Sequence, residues 1–399
     1  MDEAEDVTRA RHEALHEKDG EPVKRVLIAF LGRGDYQETM YDVDGSLYRE
    51  RLAFRAIYRH FHPIGTTFII GTEESQWEML AGFPHERVTI PYGRTVSDFW
   101  ETFDILERKI DVKDSDVIFD LTHGFRVLPL FGAIYVRFLR YVEPSFHLLG
   151  MYYGSFERGK EVTPVVDLAP FIDLLDWMDA ANAFMEYGEM TAFAAKVSSA
   201  YNRAHKEKSA EKPKVMGMFS KKLEKMSQIL QLTYTPMLSL ESKQVCAMLE
   251  QPGLREEIGT YVKPLGLLLD RIAGMASAFV EPTLWESHLK VAEWYSRNKR
   301  FTQSLLVLRE VIITCLCENT GSDPYDLDVR ERITAELNEQ CQTSKDPIHR
   351  LWNRVRRIRN NVGHAFMKQK DDESTPAKMA GRIRELIDEA SLALKGKER

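Results

Sequence analysis

Short apolar runs without polar alternation punctuate the first 170 or so residues: "VKRVLIAFLG" from Val23, "TTFIIGT" from Thr66, "RVTIPY" from Arg87, "DVIFDLT" from Asp116 and "FHLLGMYYG" from Phe146. Strands buried on both faces of a helix-covered parallel sheet have this composition. Helical periodicity recurs between them, near residues 48–61, 74–81, 96–110 and 126–141. This β-α-β rhythm predicts a Rossmann-like α/β domain with a mostly parallel, doubly wound sheet over residues 23–170. From Phe171 the strand pattern stops. "FIDLLDWMDAANAFMEYGEMTAFAAKVSSAYNRAH" reads as one long helix, "KEKSAEKPK" from Lys206 as a charged linker, and the remainder as helices. The stretch from Leu284 to Leu316 reads as an αα-hairpin. The expected organisation is a charged extension (1–22), the α/β domain (23–170), a helical connector (171–280) and an all-α bundle (281–399).

Composition narrows the class. At 399 residues, 44 % hydrophobic and 10 % aromatic, the chain has material for two ordinary cores and is not disordered. With 54 basic against 61 acidic residues the net charge is −7, so any nucleic-acid contact must come from a local basic patch. Cys246, Cys315, Cys317 and Cys341 make no C-x-x-C pair and read as reduced thiols. The N-terminal segment "MDEAEDVTRARHEALHEKDGE" has no apolar core of the kind a secretory signal needs, and no stretch approaches the ~18 apolar residues of a membrane helix. A soluble, cytoplasmic protein is the expectation.

In the α/β half, small and polar residues gather at the carboxyl ends of the predicted strands, where such folds bind ligands. The first strand ends in Gly32, Arg33 and Gly34, with Thr39 shortly after. The strand from Thr66 ends in Gly71 and Thr72. The strand from Asp116 ends in "DLTHGFR", which supplies Thr122, His123, Gly124 and Arg126. A turn from strand into helix directs backbone N–H groups and a helix N-terminus outward together, which suits an anion. Taken singly, each Gly or Thr is accounted for by the turn and His123 by a polar loop; their convergence on one edge favours a ligand site. No G-x-x-x-x-G-K-[ST] occurs, and "GRGDYQ" lacks the third glycine of a dinucleotide fingerprint.

In the helical half, "RIRNNVGHAF" from Arg357 interrupts an amphipathic helix with Asn and Gly. At about 100° per residue Leu351, Val355, Ile358 and Val362 form one stripe, Arg350, Arg354 and Arg357 lie opposite, and Arg359 falls at the stripe's edge, half-buried. Continuous helix would carry His364 about 140° away from Arg359. A bend at Asn360, Asn361 and Gly363 is therefore expected if both act on one group. Arg, Asn and His together suit metal-free RNA cleavage, an imidazole moving the protons and a guanidinium holding the phosphorane's charge. The alternative is a helix that simply ends at Gly363 with His364 beyond its cap. His205, His288 and His349 read as ordinary helix histidines, and no His-x-x-x-His or His/Asp cluster marks a metal site.

"DLTHGFR" resembles the Asp-x-Thr-His-Gly signature of one branch of CRISPR-associated proteins with a CARF domain, and "RNNVGH" resembles the R-x(4–6)-H motif of HEPN ribonucleases. Both stand in the matching order along nearly the whole chain. By this resemblance the chain is identified as a member of the CARF–HEPN ancillary ribonucleases of type III CRISPR systems. That implies an α/β CARF domain that binds a cyclic oligoadenylate activator in a homodimer, and a HEPN-like helical bundle that cleaves single-stranded RNA without a metal or other cofactor. Carried over by position, Arg359, Asn360 and His364 match the nuclease motif. Thr122, His123, Gly124 and Arg126 match the ligand loop, while Gly32, Gly34 and Thr39 match the first-strand loop loosely. Ring size and higher assembly are left open. So are two variants of this reading: a sensor whose HEPN module has no catalysis, and a ring nuclease that degrades its own activator.

Overall fold

A computed structural model describes residues 24–125, 127–206, 212–367 and 375–395. The chain forms two units, Met1–Asp176 and Trp177–Arg399.

The first unit is built on an eight-stranded sheet, β1 (Lys24–Leu31), β2 (Thr39–Val43), β3 (Ser46–Glu50), β4 (Thr66–Gly71), β5 (Glu86–Thr89), β6 (Ser115–Asp120), β7 (His147–Gly154) and β8 (Val162–Asp167), in the order β3-β2-β8-β7-β6-β1-β4-β5. β5, β4, β1, β6 and β7 are parallel, and the strand order reverses between β1 and β6. The crevice at such a reversal is where doubly wound sheets take ligands. Every β1 residue after Lys24 is buried. Val26, Ile28 and Phe30 face a core shared with helices α2 (Val96–Lys109) and α3 (Leu128–Val142), whereas Leu27, Ala29 and Leu31 face one shared with α1 (Ala53–His60). Covering both faces is why this strand reads as an unbroken apolar run.

The expected parallel strands are present, and three others were not expected. β2 and β3 form an antiparallel hairpin closed by Asp44 and Gly45, both at positive φ, and β8 pairs antiparallel to β7 and parallel to β2. The predicted helix near 48–61 begins as β3 and becomes α1 only at Ala53, and the one near 74–81 is a single 3₁₀ turn, Trp77–Leu80.

The chain leaves the sheet through α4 (Ala169–Tyr187), within which the division between units falls. Thereafter it is helical: α5 (Thr191–Lys206), α6 (Met216–Leu232), α7 (Thr235–Leu249), α8 (Pro252–Tyr261), α9 (Lys263–Gly266), α10 (Leu269–Ser277), α11 (Leu284–Arg297), α12 (Phe301–Asn319), α13 (Leu327–Gln340), α14 (Pro347–Gly363) and α15 (Pro376–Lys395). The charged linker expected from Lys206 falls largely outside the described residues. One apolar core runs through these helices, from Phe193 and Phe219 to Trp285, Trp352 and Leu386. α11 opens with a capping box between Thr283 and Glu286, and Glu318 accepts the N–H groups of Leu284 and Trp285, so four donors at that helix start are satisfied. Among the described residues no helix is long and apolar enough to cross a membrane.

The single long helix expected from Phe171 is broken at Gly188, which has φ +65°. A Cβ there would stand 2.1 Å from the Trp294 ring, so both backbone and space require glycine. Gly188→Ala is expected to destabilise the helical unit by roughly 2–4 kcal/mol. Combined with Trp294→Phe, which shortens the opposing ring, it should cost less than the two single changes added. Thermal melting of the four proteins checks this, and strict additivity would show that the Trp294 contact is not the cause.

Candidate functional site

The "DLTHG" turn ties together the ends of three strands and one helix. Asp120 closes β6 fully buried. Its Oδ1 accepts the Thr122 N–H at 3.0 Å and the Thr122 hydroxyl, and that hydroxyl in turn accepts the Gly154 N–H at the end of β7, at 2.8 Å. His123, 9 % exposed, accepts the Ala53 N–H on Nε2 at 2.8 Å. Ala53 opens α1, whose N-cap Leu52 offers no side-chain acceptor; the imidazole does the work of a cap from a distant part of the chain. Its ring also stands edge-on to Tyr36, with centroids 4.5 Å apart. Burial pushes the His123 pKa down to about 3 and the Asp120 carboxyl up to about 7.

The other expected ligand positions divide. Gly32 is buried where a Cβ would lie 2.7 Å from the His123 carbonyl oxygen, and its N–H donates to the Tyr36 hydroxyl at 2.9 Å. Thr39 opens β2, with its hydroxyl 3.0 Å from that of Thr163. Gly71 ends β4 against Ser75 and Trp77, and buried Thr72 donates its N–H to the Ser75 hydroxyl at 2.9 Å. Gly124 packs against Phe30 and Leu128. Arg126 lies outside the described residues. Arg33 and Gly34 are exposed.

Arg33 anchors a cluster that only partly figured in the sequence reading. Its guanidinium pairs with Glu74, donates to the Tyr92 hydroxyl at 2.9 Å and lies 5.0 Å from the Tyr92 ring centroid. Arg94 approaches the same ring to 4.8 Å, and Phe125 packs 5.1 Å from it. Arginine beside aromatic rings suits nucleotides, whose phosphates pair with guanidinium and whose bases stack. The available signal was "PYGR", residues 91–94: β5 ends at the same edge as β1, β4 and β6, so its loop belonged with theirs.

The helical candidates sit on α14, where Leu351, Trp352, Val355 and Ile358 are buried as the periodicity requires. The expected bend is absent. His364 donates its N–H to the Asn360 carbonyl at 3.0 Å, so α-helical bonding continues to the cap. The chain turns one residue later, through Ala365 and Phe366, both in the left-handed region at φ +50° and +59°. Val362 remains packed against the core and holds the last turn in line. Arg359 is half-buried, its Nη1 donating to Asn360 Oδ1 at 3.3 Å and its buried Nε without a partner among the described residues. His364 is exposed. Within one chain the two therefore point about 140° apart and do not converge. Among the described residues no group of three His, Cys, Asp or Glu side chains is placed to hold a metal ion.

The His123 geometry has a pH consequence. The imidazole is neutral when folded and has its ordinary value of 6.5 when unfolded, so its contribution to stability is complete above pH 6.5 and is lost as pH falls toward 3. Asp120 acts oppositely: it keeps its proton to about pH 7 when folded and releases it near 3.8 when unfolded, so its contribution falls as pH rises between those values. His123→Gln keeps an acceptor without a titrating group and leaves Asp120 in place. On going from pH 7.5 to 5, denaturant unfolding should show the wild type losing about 2 kcal/mol more than the variant. Equal losses would mean that His123 is protonated in the folded protein.

A protein-family model described as the second domain of CRISPR-associated protein MJ1674 matches residues 173–277. The chain is similar to CRISPR-associated protein MJ1674 of Methanocaldococcus jannaschii, with 28 % identity over 299 residues, 72 % of this chain and 43 % of that protein. It thus spans less than half the length of that relative. A more distant likeness, at 11 % identity and a TM-score of 0.42, covers 94 % of this chain and 95 % of Enterococcus italicus Csm6 bound to cyclic hexa-2'-fluoro-hexa-dAMP. The domain model and the curated relative are both described as CRISPR-associated.

Proposed function

We propose that this protein is a cyclic-oligoadenylate-activated, metal-independent endoribonuclease that cleaves single-stranded RNA as an ancillary part of type III CRISPR defence. The observation that carries the nuclease half is the state of His364: exposed, at the end of α14, five positions after Arg359 and directly before two left-handed residues. Non-glycine residues held in that region cost energy and cluster at functional sites. His364 supplies the proton transfers, and Arg359 and Asn360 supply the charge and hydrogen bonds that hold the reacting phosphate. Because one chain holds Arg359 and His364 on different faces of α14, the working site takes one of them from each of two chains across a twofold axis. The sensing half rests on the crevice between β1 and β6 and on exposed Arg33 beside Tyr92 and Arg94.

A second reading, a regulator whose helical unit does not cleave RNA, is favoured by the same straightness of α14. The two are separated by labelled single-stranded RNA titrated with cyclic tetra-adenylate and cyclic hexa-adenylate. The nuclease reading expects activator-dependent cleavage that survives EDTA and falls at least a hundredfold in His364→Ala and in Arg359→Ala. Arg33→Ala should raise the half-activating concentration roughly tenfold and leave the fully activated rate unchanged. No cleavage with either activator favours the regulator. Cleavage that chelation abolishes and Mn²⁺ restores sinks the metal-free mechanism.

A further inference from the structure

Helices α14 and α15 enclose an open groove of about 310 Å³ lined by Asn353, Arg354, Arg357, Ile358, Arg382 and Glu385. Three arginines against one glutamate make a local charge of about +2 in a chain whose net charge is −7. The arginines are not equivalent. Arg354 is engaged by Glu389 and lies 3.9 Å from Glu385. Arg357 and Arg382 are exposed and have no ion-pair partner among the described residues.

The straightness of α14 gives the groove a direction. Seven positions separate Arg357 from His364, about 20° short of two full turns and about 10 Å along the axis. Arg357 and His364 therefore share one face of α14, whereas Arg359 lies about 200° from Arg357. The hydrogen bond from the His364 N–H to the Asn360 carbonyl, at 3.0 Å, keeps His364 on that helical path. The face His364 shares is the one that lines the groove, and Arg382 stands on the groove's other wall.

We propose that the α14–α15 groove binds the phosphate backbone of single-stranded RNA, with Arg357 and Arg382 as the phosphate contacts that lead the strand to His364. A linear polyanion fits a run of unpaired cations on two walls ending at a proton-transfer group, and guanidinium is the side chain suited to phosphate. Glu385 restrains affinity: it competes with the strand for Arg354 and presents a like charge to each phosphate that passes. The proposal rests on the ribonuclease reading for the role of His364 and does not depend on it for binding.

The test uses the full chain with His364→Ala, so that RNA survives, and reads anisotropy of a labelled single-stranded oligoribonucleotide across a salt series. Adding Arg357→Ala or Arg382→Ala should each weaken binding roughly fivefold to tenfold, independently of sequence, and flatten the slope of log affinity against log salt by about 0.7. Arg→Lys at either position should restore the slope. Glu385→Gln should tighten binding, and Lys243→Ala, on exposed α7 surface, should change nothing. Unchanged affinity and slope in both arginine variants overturns the groove, and duplex DNA bound as tightly as the single strand overturns its assignment to RNA. In the His364 wild type, the arginine variants should raise KM with kcat retained. Binding that depends on Arg357 and Arg382 in a chain that never cleaves RNA upholds the groove and removes the ribonuclease reading. Cleavage that needs His364, with KM unmoved by either arginine variant, does the reverse.

Discussion

The sheet unit depends on burying a carboxylate and an imidazole where its strand order reverses, with Asp120 Oδ1 and His123 Nε2 hydrogen-bonded and Asp120 Oδ2 without a partner among the described residues. A buried Asp or His ordinarily costs several kcal/mol unless hydrogen bonds meet it. Asp120 is met by Thr122, Thr122 by Gly154, and His123 by the first amide of α1. The result is a clasp that fixes the ends of β6 and β7 and the start of α1 to one another. The absence of a side chain at Gly32 lets the end of β1 lie against the His123 carbonyl. Loops can present ligand-binding groups from this edge only because the strand ends beneath them are locked.

That arrangement changes the meaning of the Asp-x-Thr-His-Gly signature. As bare sequence, a Thr and a His at a strand end read as groups offered to a ligand. In the fold the Thr122 hydroxyl is engaged by Asp120 and the Gly154 N–H, and His123 gives its Nε2 to the Ala53 N–H. What the edge offers outward is instead Arg33, Tyr92 and Arg94, from loops after β1 and β5 that no single motif joins.

How much of this was legible follows from which forces act locally. β1, β4 and β6 were readable because burial on both faces leaves an unbroken apolar run in the chain itself, whereas β5 has one buried residue and β7 is buried mainly in its second half. β2, β3 and β8 were not, since β2 alternates buried with half-buried positions, β3 is nowhere fully buried and β8 alternates buried with more exposed ones; such strands are defined by their neighbours more than by their own composition. The buried stripe of α14 followed from its period, and so did the half-burial of Arg359. The interruption at Asn360–Gly363 was misread as a bend. Weak helix formers in a last turn need only permit termination, and with Val362 anchored in the core the helix ran on to His364 before turning. The break at Gly188 and the second wall of the groove at Arg382 are set by residues distant in sequence, Trp294 and α14, and no local pattern announces either.

The same division decides what substitutions can reveal. Changing Thr122, His123 or Gly124 removes a fold contact along with any ligand contact, so a loss of sensing there has two sufficient causes. Arg33 is exposed and its loss frees Glu74 and Tyr92 but leaves the clasp intact, so on the proposed reading a loss of sensing at Arg33 does not report on the clasp. In the helical unit the asymmetry runs between Arg359 and His364. Arg359 is half-buried with one nitrogen unmet, and its removal relieves a desolvated group as well as deleting a charge. His364 touches solvent at the end of its helix, and its removal deletes little besides its chemistry. On the proposed reading, exposed Arg33 in one unit and exposed His364 in the other are therefore the positions whose substitution tests function apart from fold. If that reading holds, coupling between the two units would be measured as an effect of a ligand at Arg33 on a cleavage rate that depends on His364.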